Sequence, residues 1–467
     1  MYQPAKSFQY AVNACQGCLE KQREIDRLKE EIQRLRVKLS AKKRKDKDGF
    51  FGSSTPSSQL PVKANACPEQ TLQRGGAKPG HPGAGRQKHP PEEVDCVREI
   101  EVAPRCPDCQ CVMPEKDHRE RSVLDLDPIR VLKVRYRLQR RQCPQCKRII
   151  AAQAAEVLPR FMFSNQLLAE IIDSHYVQGI PLGRICVRWQ LNYGSVIEAL
   201  HRVAGLFTPV MKPLVESYRQ SVVRHADETG WRCDGQQGYC WLFTSDSVSL
   251  HLYRKTRSAK VVEEVLGKSA LAGYLVVDRY PAYRRAPCQV QYCYAHLLRD
   301  LKDLREEFAD EREVEAYAQE MITLLSQAMR LQSSKPADSE YYREAQRIKQ
   351  EMLAAGEKGS HHLAIKRWQD FFVEEAERLY HWVEDRRVPC ENNRAERELR
   401  PTVIARKVSH GSQAEEGART REVLMSVMQT LKKRVGDPRQ RIKAVLDRLA
   451  LSSGLKIEEL LWQTDSS

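Results

Sequence analysis

The sequence predicts an α/β protein assembled from several domains. Two observations carry that reading. From residue 219 three β-rich runs (QSVVRHADE, YCWLFTSD, VSLHLYRK) are followed by a helix (AKVVEEVLG), a fully apolar strand in LAGYLVVD and a fifth strand in QVQYCYAH. Residues 297–386 are then almost continuously helical and charged. Strands followed by helix, strand and more helix describe a layered α/β core. A chain of 467 residues is long enough for roughly two to four such domains.

Charge narrows the partners. Lys and Arg number 77 against 62 Asp and Glu, a net +15 with a pI near 9.1. That balance suits a polyanion such as nucleic acid, or an anionic membrane surface. No apolar run approaches the ~18–20 residues of a spanning helix, which excludes an integral membrane protein. The opening MYQPAKSFQYAVNACQGC lacks a basic segment followed by an apolar one, so a cytoplasmic protein is expected. In a reducing compartment, 15 cysteines with several Cys-x-x-Cys pairs read as metal ligands before disulfides.

Each element follows in order. In residues 1–48, Ile25, Leu28, Ile32, Leu35 and Leu39 recur at spacings of 3 and 4, the seam of a coiled coil and a route to a homo-oligomer. The alternative is an amphipathic helix packed on its own protein. Residues 49–92, rich in Gly, Pro, Ser and Gln, read as a basic flexible linker. Residues 93–155 alternate β-type runs with Cys-Pro turns. Residues 156–215 read as three short helices: Ser164 caps the first, Gly179 and Pro181 break it, and Ser195 with Glu198 forms a capping box for the third. Such a trio resembles a helix-turn-helix, though ordinary helical connectors look the same. The catalytic candidate spans 216–410 with a helical insertion at about 300–386. In it ENNRAERELRP is a short helix with Asn caps and a Pro stop. A helical region, 411–467, ends the chain, its last long helix opened by Asp437 and Pro438.

The most specific local motif is Cys106-Pro-Asp-Cys109 with Cys143-Pro-Gln-Cys146. Four thiolates in two knuckles suit a closed structural Zn²⁺ site, a zinc ribbon. Cys111 is close enough to compete as a ligand; Cys15 and Cys18 form a further pair without an evident partner. The alternative is two unrelated turns with free thiols.

Acidic residues at strand ends supply candidate chemistry. Asp227 follows SVVRHA, and Asp278 follows the apolar GYLVV. A strand ending in a carboxylate exposes it at the sheet rim, where α/β proteins carry sites. Two such carboxylates and a third from a helix can hold two Mg²⁺ ions about 3.5–4 Å apart for phosphodiester chemistry. Glu396 is the third candidate, with Arg400 one turn further along the same helical face, suited to phosphate. Taken singly, each carboxylate also reads as a surface turn or cap.

HADETGWR, GYLVVDRYPAYR, CYAHLLRDL, ENNRAERELRP and RKVSHGS together resemble the insertion-sequence-66 family of bacterial DDE transposases. The likeness extends over nearly the whole chain, through the zipper-like N-terminus, the AKPGHPGAGR linker and the Cys-x-x-Cys segment. It implies an RNase H-like core in which Asp227, Asp278 and Glu396 form the catalytic, metal-binding triad, using Mg²⁺ or Mn²⁺. It further implies a helical insertion between the second and third acids. Two positions depart from the family pattern: Glu391 stands where Asp is usual before the paired Asn, and Cys293-Tyr294-Ala295-His296 where Cys-Trp-Ala-His is common. Glu391 sits before the Asn caps, so Glu396 is the preferred ligand. Arg299, Arg397, Arg400 and His296 are the candidate DNA contacts. Trp231 and Tyr280, beside the two Asp residues, read as core before base-stacking groups.

The expected function is therefore a transposase that binds element ends, cleaves DNA and joins the 3′-hydroxyl to target DNA. Its partners would be DNA, further copies of itself and accessory element-encoded proteins, in the bacterial cytoplasm at the nucleoid. The rival readings are a non-catalytic, coiled-coil-dimerised zinc-ribbon regulator and a stand-alone RNase H-like nuclease.

Overall fold

The computed structural model describes residues 20–21, 23–32, 34–35, 92, 104–105, 108–112, 130–142, 144–146, 148–452 and 454–462. The chain divides into two compact units, residues 63–135 and the remainder. In the smaller unit a bridge between Arg105 and Val112 closes a tight turn carrying Cys109 and Cys111, both exposed. Cys15, Cys18, Cys106 and Cys143 lie outside the described residues, as does the linker apart from Glu92. No helix among the described residues is long and apolar enough to cross a membrane.

In the larger unit the described residues between 20 and 35 are helical, and Ile25, Leu28, Ile32 and Leu35 are about half exposed. Leu39 lies outside the described residues. Residues 136–139, expected as a strand, carry no regular structure before the hairpin of β1 (Arg140–Gln142) and β2 (Ile149–Ala151), and neither do residues 130–135 of the smaller unit.

Three helices follow: α1 (Asn165–Tyr176), α2 (Leu182–Trp189) and α3 (Tyr193–Phe207). The Ser164 hydroxyl accepts the Leu167 N–H, as its position predicts. The capping box expected at Ser195 and Glu198 is corrected. Helix α3 starts three residues earlier, at Tyr193, and Asn192 caps it by accepting the Ser195 N–H at 3.0 Å. Asn is as good a cap as Ser, and its upstream position wins the N–H.

After α4 (Met211–Arg219) comes the sheet: β3 (Val223–Cys233), β4 (Gln236–Thr244), β5 (Ser249–Arg254), β6 (Tyr274–Val277) and β7 (Gln289–Tyr292), with α5 (Ala259–Leu266) between β5 and β6. The strand order is β5-β4-β3-β6-β7. The first three strands pair antiparallel, whereas β6 runs parallel to β3 and β7 parallel to β6. Gly273 opens β6 at φ +83°, and a Cβ there would collide with the Val222 carbonyl, which accepts the Tyr274 N–H. Glycine is what lets β6 approach β3.

Helix α6 (Tyr294–Glu307) leads into the insertion: α7 (Arg312–Ser334), α8 (Asp338–Glu357), α9 (Leu363–Glu374) and the short α10 (His381–Glu384). The chain returns through α11 (Asn393–Ser409), a two-residue strand β8 (Gly411–Ser412) parallel to β3, α12 (Glu415–Arg434), α13 (Pro438–Leu451) and α14 (Ile457–Trp462). Asp437 caps α13 as expected.

Two expectations about α11 are corrected. Pro401 does not stop the helix, which runs on to Ser409. An interior proline forfeits a backbone hydrogen bond, a cost of about 3 kcal/mol. Here Ala395, Leu399 and Val403 bury a stripe against Trp231, Cys240 and Leu242 of the sheet, and that packing outweighs the local penalty. Asn392 occupies the cap position, yet its side chain bonds the sheet instead of the helix.

Helix α12 covers the sheet edge. Glu422, Ser426 and Thr430, spaced four apart, accept the N–H groups of Tyr253, His251 and Ser249, spaced two apart. Four helical residues rise about 6.0 Å and two strand residues about 6.8 Å, so the two rows stay nearly in step. An edge that would otherwise be open to pairing is closed.

Candidate active site

Strand alternation sorts the polar residues of β3 onto two faces. His225, Asp227, Thr229 and Trp231 lie on the face covered by α11, as the packing of Trp231 shows. Glu228 lies on the other. The parallel register between β3 and β6 pairs Val223 with Tyr274 and His225 with Val276. The same offset brings Asp278, directly after β6, level with Asp227. The expected strand end at Asp227 is corrected, because β3 continues through TGWRC, paired to β4, as far as Cys233. On the next strand Val277 pairs with Tyr292, so Cys293 is level with Asp278, and its N–H donates to the Val277 carbonyl. The two parallel strands end at this line, with α6 starting immediately beyond.

Glu396 comes from the first turn of α11, where the N-terminal end of the helix favours a carboxylate. Asp278 and Glu396 both lie near enough to act on the Asp227 carboxyl. Burial pushes the Asp227 carboxyl well above the usual carboxylate range, and Glu228, Asp278 and Glu396 each push it further. Main-chain donors orient two of the acids: the Glu228 N–H bonds Asp227 and the Tyr280 N–H bonds Asp278, each at 2.9 Å. Asp278 is itself buried.

His296, in the first turn of α6, places Nδ1 3.9 Å from a Glu396 carboxylate oxygen. Burial lowers its pKa, opposed by Asp278 and Glu396. Both His296 Nδ1 and that Glu396 oxygen are shut off from solvent without a hydrogen-bond partner. Mutually repelling acids with an orphaned oxygen and nitrogen are a donor set that fits a divalent cation. Of the remaining candidates, Arg397 and Arg400 are exposed on α11, and Arg299 is half-buried on α6 near His296. Trp231 is buried, donating to the Ser412 hydroxyl, and Tyr280 stacks under the Arg257 guanidinium. Both are packing residues.

Sequence reasoning missed the supports. Asn392 is 1 % exposed; its Nδ2 donates to the Ala226 carbonyl at 2.8 Å, and its Oδ1 faces His225 Nδ1 at 2.9 Å. A carbonyl can only accept, so the amide orientation is set and the His225 nitrogen must donate. The Asn392 N–H bonds the Cys293 sulfur at 3.1 Å. One asparagine thus ties α11, β3 and the β7–α6 junction. On the opposite face Glu228 bonds Arg257, through Nε at 2.7 Å, and the Tyr283 hydroxyl. Burial pushes its carboxyl up to about 7, with Asp278 adding and Arg257 opposing. Glu228 directly beside Asp227, in a strand that runs from Val223 through Trp231, was the available signal.

Comparison with protein families gives the deciding observation: the model of the Transposase IS66 family matches residues 160–420, more than half of the chain. The protein belongs to the IS66 transposase family. The match takes in the three-helix segment, the sheet, the insertion and α11, and so includes all three predicted acids of this IS66-family chain. No curated protein matches it.

Proposed function

We propose that this IS66-family transposase cleaves DNA at element ends and joins the 3′-hydroxyl to target DNA with an RNase H-like core. Asp227, Asp278 and Glu396 are the catalytic carboxylates. The observation that carries the reading is the common level of Asp227 and Asp278 on adjacent strands, with Glu396 of α11 near enough to act on the Asp227 carboxyl. A mixed sheet of three antiparallel strands extended by two parallel ones, with Asp227 inside β3 and Asp278 directly after β6, supports the RNase H-like core.

Asp227, Asp278 and Glu396 would hold divalent cations such as Mg²⁺ or Mn²⁺, which would supply Lewis-acid stabilisation of the attacking and leaving oxygens at phosphorus. The protein's own share is preorganisation. Glu228 and Tyr280 N–H groups fix two carboxylate rotamers, and Asn392 fixes the third acid's helix against β3. Arg397 and Arg400, exposed on the helix of Glu396, suit the flanking phosphates; Arg299 and His296 border the site from α6. For the wider assembly, the exposed seam Ile25, Leu28, Ile32 and Leu35 supports oligomerisation through the N-terminal helix. Cysteine spacing alone supports a structural Zn²⁺ on Cys106, Cys109, Cys143 and Cys146.

The test is a supercoiled plasmid carrying the element ends, with Mg²⁺ or Mn²⁺, comparing wild type with Asp227→Asn, Asp278→Asn and Glu396→Gln. Strand transfer by wild type and its loss in all three supports the transposase reading. Nicking without joining points to a nuclease, and binding without metal-dependent cleavage to a DNA-binding regulator.

A further inference from the structure

One group of donors in the cluster is of the wrong chemical kind for Mg²⁺. Cys293 Sγ, a His296 ring nitrogen and a Glu396 carboxylate oxygen lie within 4.8 Å of one another. Cys293 is fully buried at the start of α6, and its sulfur accepts the Asn392 N–H. An N–H directed at sulfur is the outer contact that steadies a metal-bound thiolate. His296 Nδ1 and Glu396 Oε1 are buried without a hydrogen bond, 3.9 Å from each other, although buried polar atoms in folded proteins nearly always have a hydrogen-bond partner. A hydrogen-bonded core cluster would have satisfied them. A site awaiting a ligand leaves them as they are.

We propose that Cys293, His296 and Glu396 form a binding site for a zinc-like transition-metal cation. Mg²⁺ takes oxygen donors and keeps its waters, whereas sulfur and imidazole select later, borderline cations such as Zn²⁺ or Co²⁺. Tetrahedral ligands about 2.0–2.3 Å from zinc stand about 3.6 Å apart, so closing the site takes side-chain movements of about 1 Å. Three protein ligands leave a fourth position open.

The site shares Glu396 with the catalytic cluster, and that overlap gives it a consequence. Zinc held by Cys293 and His296 withdraws Glu396 from the acids that hold Mg²⁺, so the two cations exclude one another and zinc inhibits the reaction. The inhibition rests on the proposed function; the metal site does not.

The test is the zinc content of the full-length protein after equilibrium dialysis against Zn²⁺, for wild type, Cys293→Ser, His296→Asn, Glu396→Gln and Cys240→Ser. Cys240 is a buried thiol that is not part of this donor set, and its variant controls for thiol loss in general. Each of the three ligand variants should bind one equivalent fewer than wild type, and Cys240→Ser the same as wild type. Equal zinc content across all five overturns the proposal. Should Cys293→Ser fail to fold, His296→Asn, which leaves the Asn392–Cys293 contact intact, decides through the cobalt-loaded protein. Its loss of part of the thiolate-to-cobalt absorption supports the site, and an unchanged spectrum overturns it. A wild type that shows the extra zinc but no strand transfer leaves this site standing while the catalytic reading fails.

Discussion

The side-chain amide of Asn392 donates to the main-chain carbonyl of Ala226 across 2.8 Å, so the residue that opens the helix of Glu396 is bonded to the residue before Asp227. This contact sets how far the third acid stands from the first. Asn392→Ala leaves the buried Ala226 carbonyl and the His225 N–H unpaired, a loss of about 2–3 kcal/mol. Urea unfolding should show that loss, and the divalent-cation concentration giving half-maximal cleavage should rise. A variant of wild-type stability and wild-type metal dependence would show that the bond does not position α11.

The pair on the opposite face is structural. Glu228 has a side chain only 1 % exposed, against Arg257 and Tyr283. Glu228→Ala strands the Arg257 cation and should cost on the order of 3–5 kcal/mol. Glu228→Gln keeps a hydrogen-bonding group and should cost less. Thermal unfolding checks the order wild type, Glu228→Gln, Glu228→Ala; an alanine variant as stable as wild type contradicts it.

Pro401 is the clearest case of packing overriding local preference. Pro401→Ala restores the missing helical N–H and should stabilise the protein by about 1–2 kcal/mol, after allowing for the greater freedom of the unfolded chain. Chemical denaturation measures it. A loss of stability would mean that the proline ring itself packs in a way alanine cannot replace.

The strands around the site were legible because apolar runs ending in Asp are rare in sequence and simple in geometry. That pattern describes Asp278, whereas Asp227 lies inside β3, and their level alignment follows from the pairing offset. The helical insertion and the C-terminal helices were legible from period and charge. What stayed hidden is long-range. Asn392 reads as a cap, because a local rule cannot see His225 and Ala226 more than 160 positions away. Pro401 reads as a stop because the burial of Leu399 and Val403 depends on a sheet folded elsewhere. The pairing of β8 with β3 depends on Gly411 at φ +134°, where a Cβ would meet the Arg232 carbonyl. Two residues of strand give no periodic pattern to read.

A buried histidine sets one pH dependence. His251 is fully buried, and burial lowers its pKa from the usual 6.5 to about 3, with Arg421 and Lys433 adding to the fall. Above pH 6.5 the ring is neutral folded and unfolded, and its contribution to stability is fully present. Below 6.5 the unfolded chain takes up a proton that the folded chain refuses until about pH 3. The contribution is therefore lost as pH falls, by about 1.4 kcal/mol per unit once the unfolded ring is charged. Replacing His251 with Gln removes this slope. Unfolding free energies of the two proteins at pH 7.5, 5.5 and 4.5 should show the wild type falling faster, and parallel curves would contradict the assignment.

Affinity cleavage reads the metal-binding cluster most directly. With Fe²⁺ in place of Mg²⁺ and a source of hydroxyl radicals, the backbone is cut where the bound ion sits. The account predicts cuts beside residues 227, 278 and 396 in the same preparation, all suppressed by excess Mg²⁺. Cuts confined to other segments, or cuts at these three that Mg²⁺ leaves untouched, would contradict a shared divalent-ion centre.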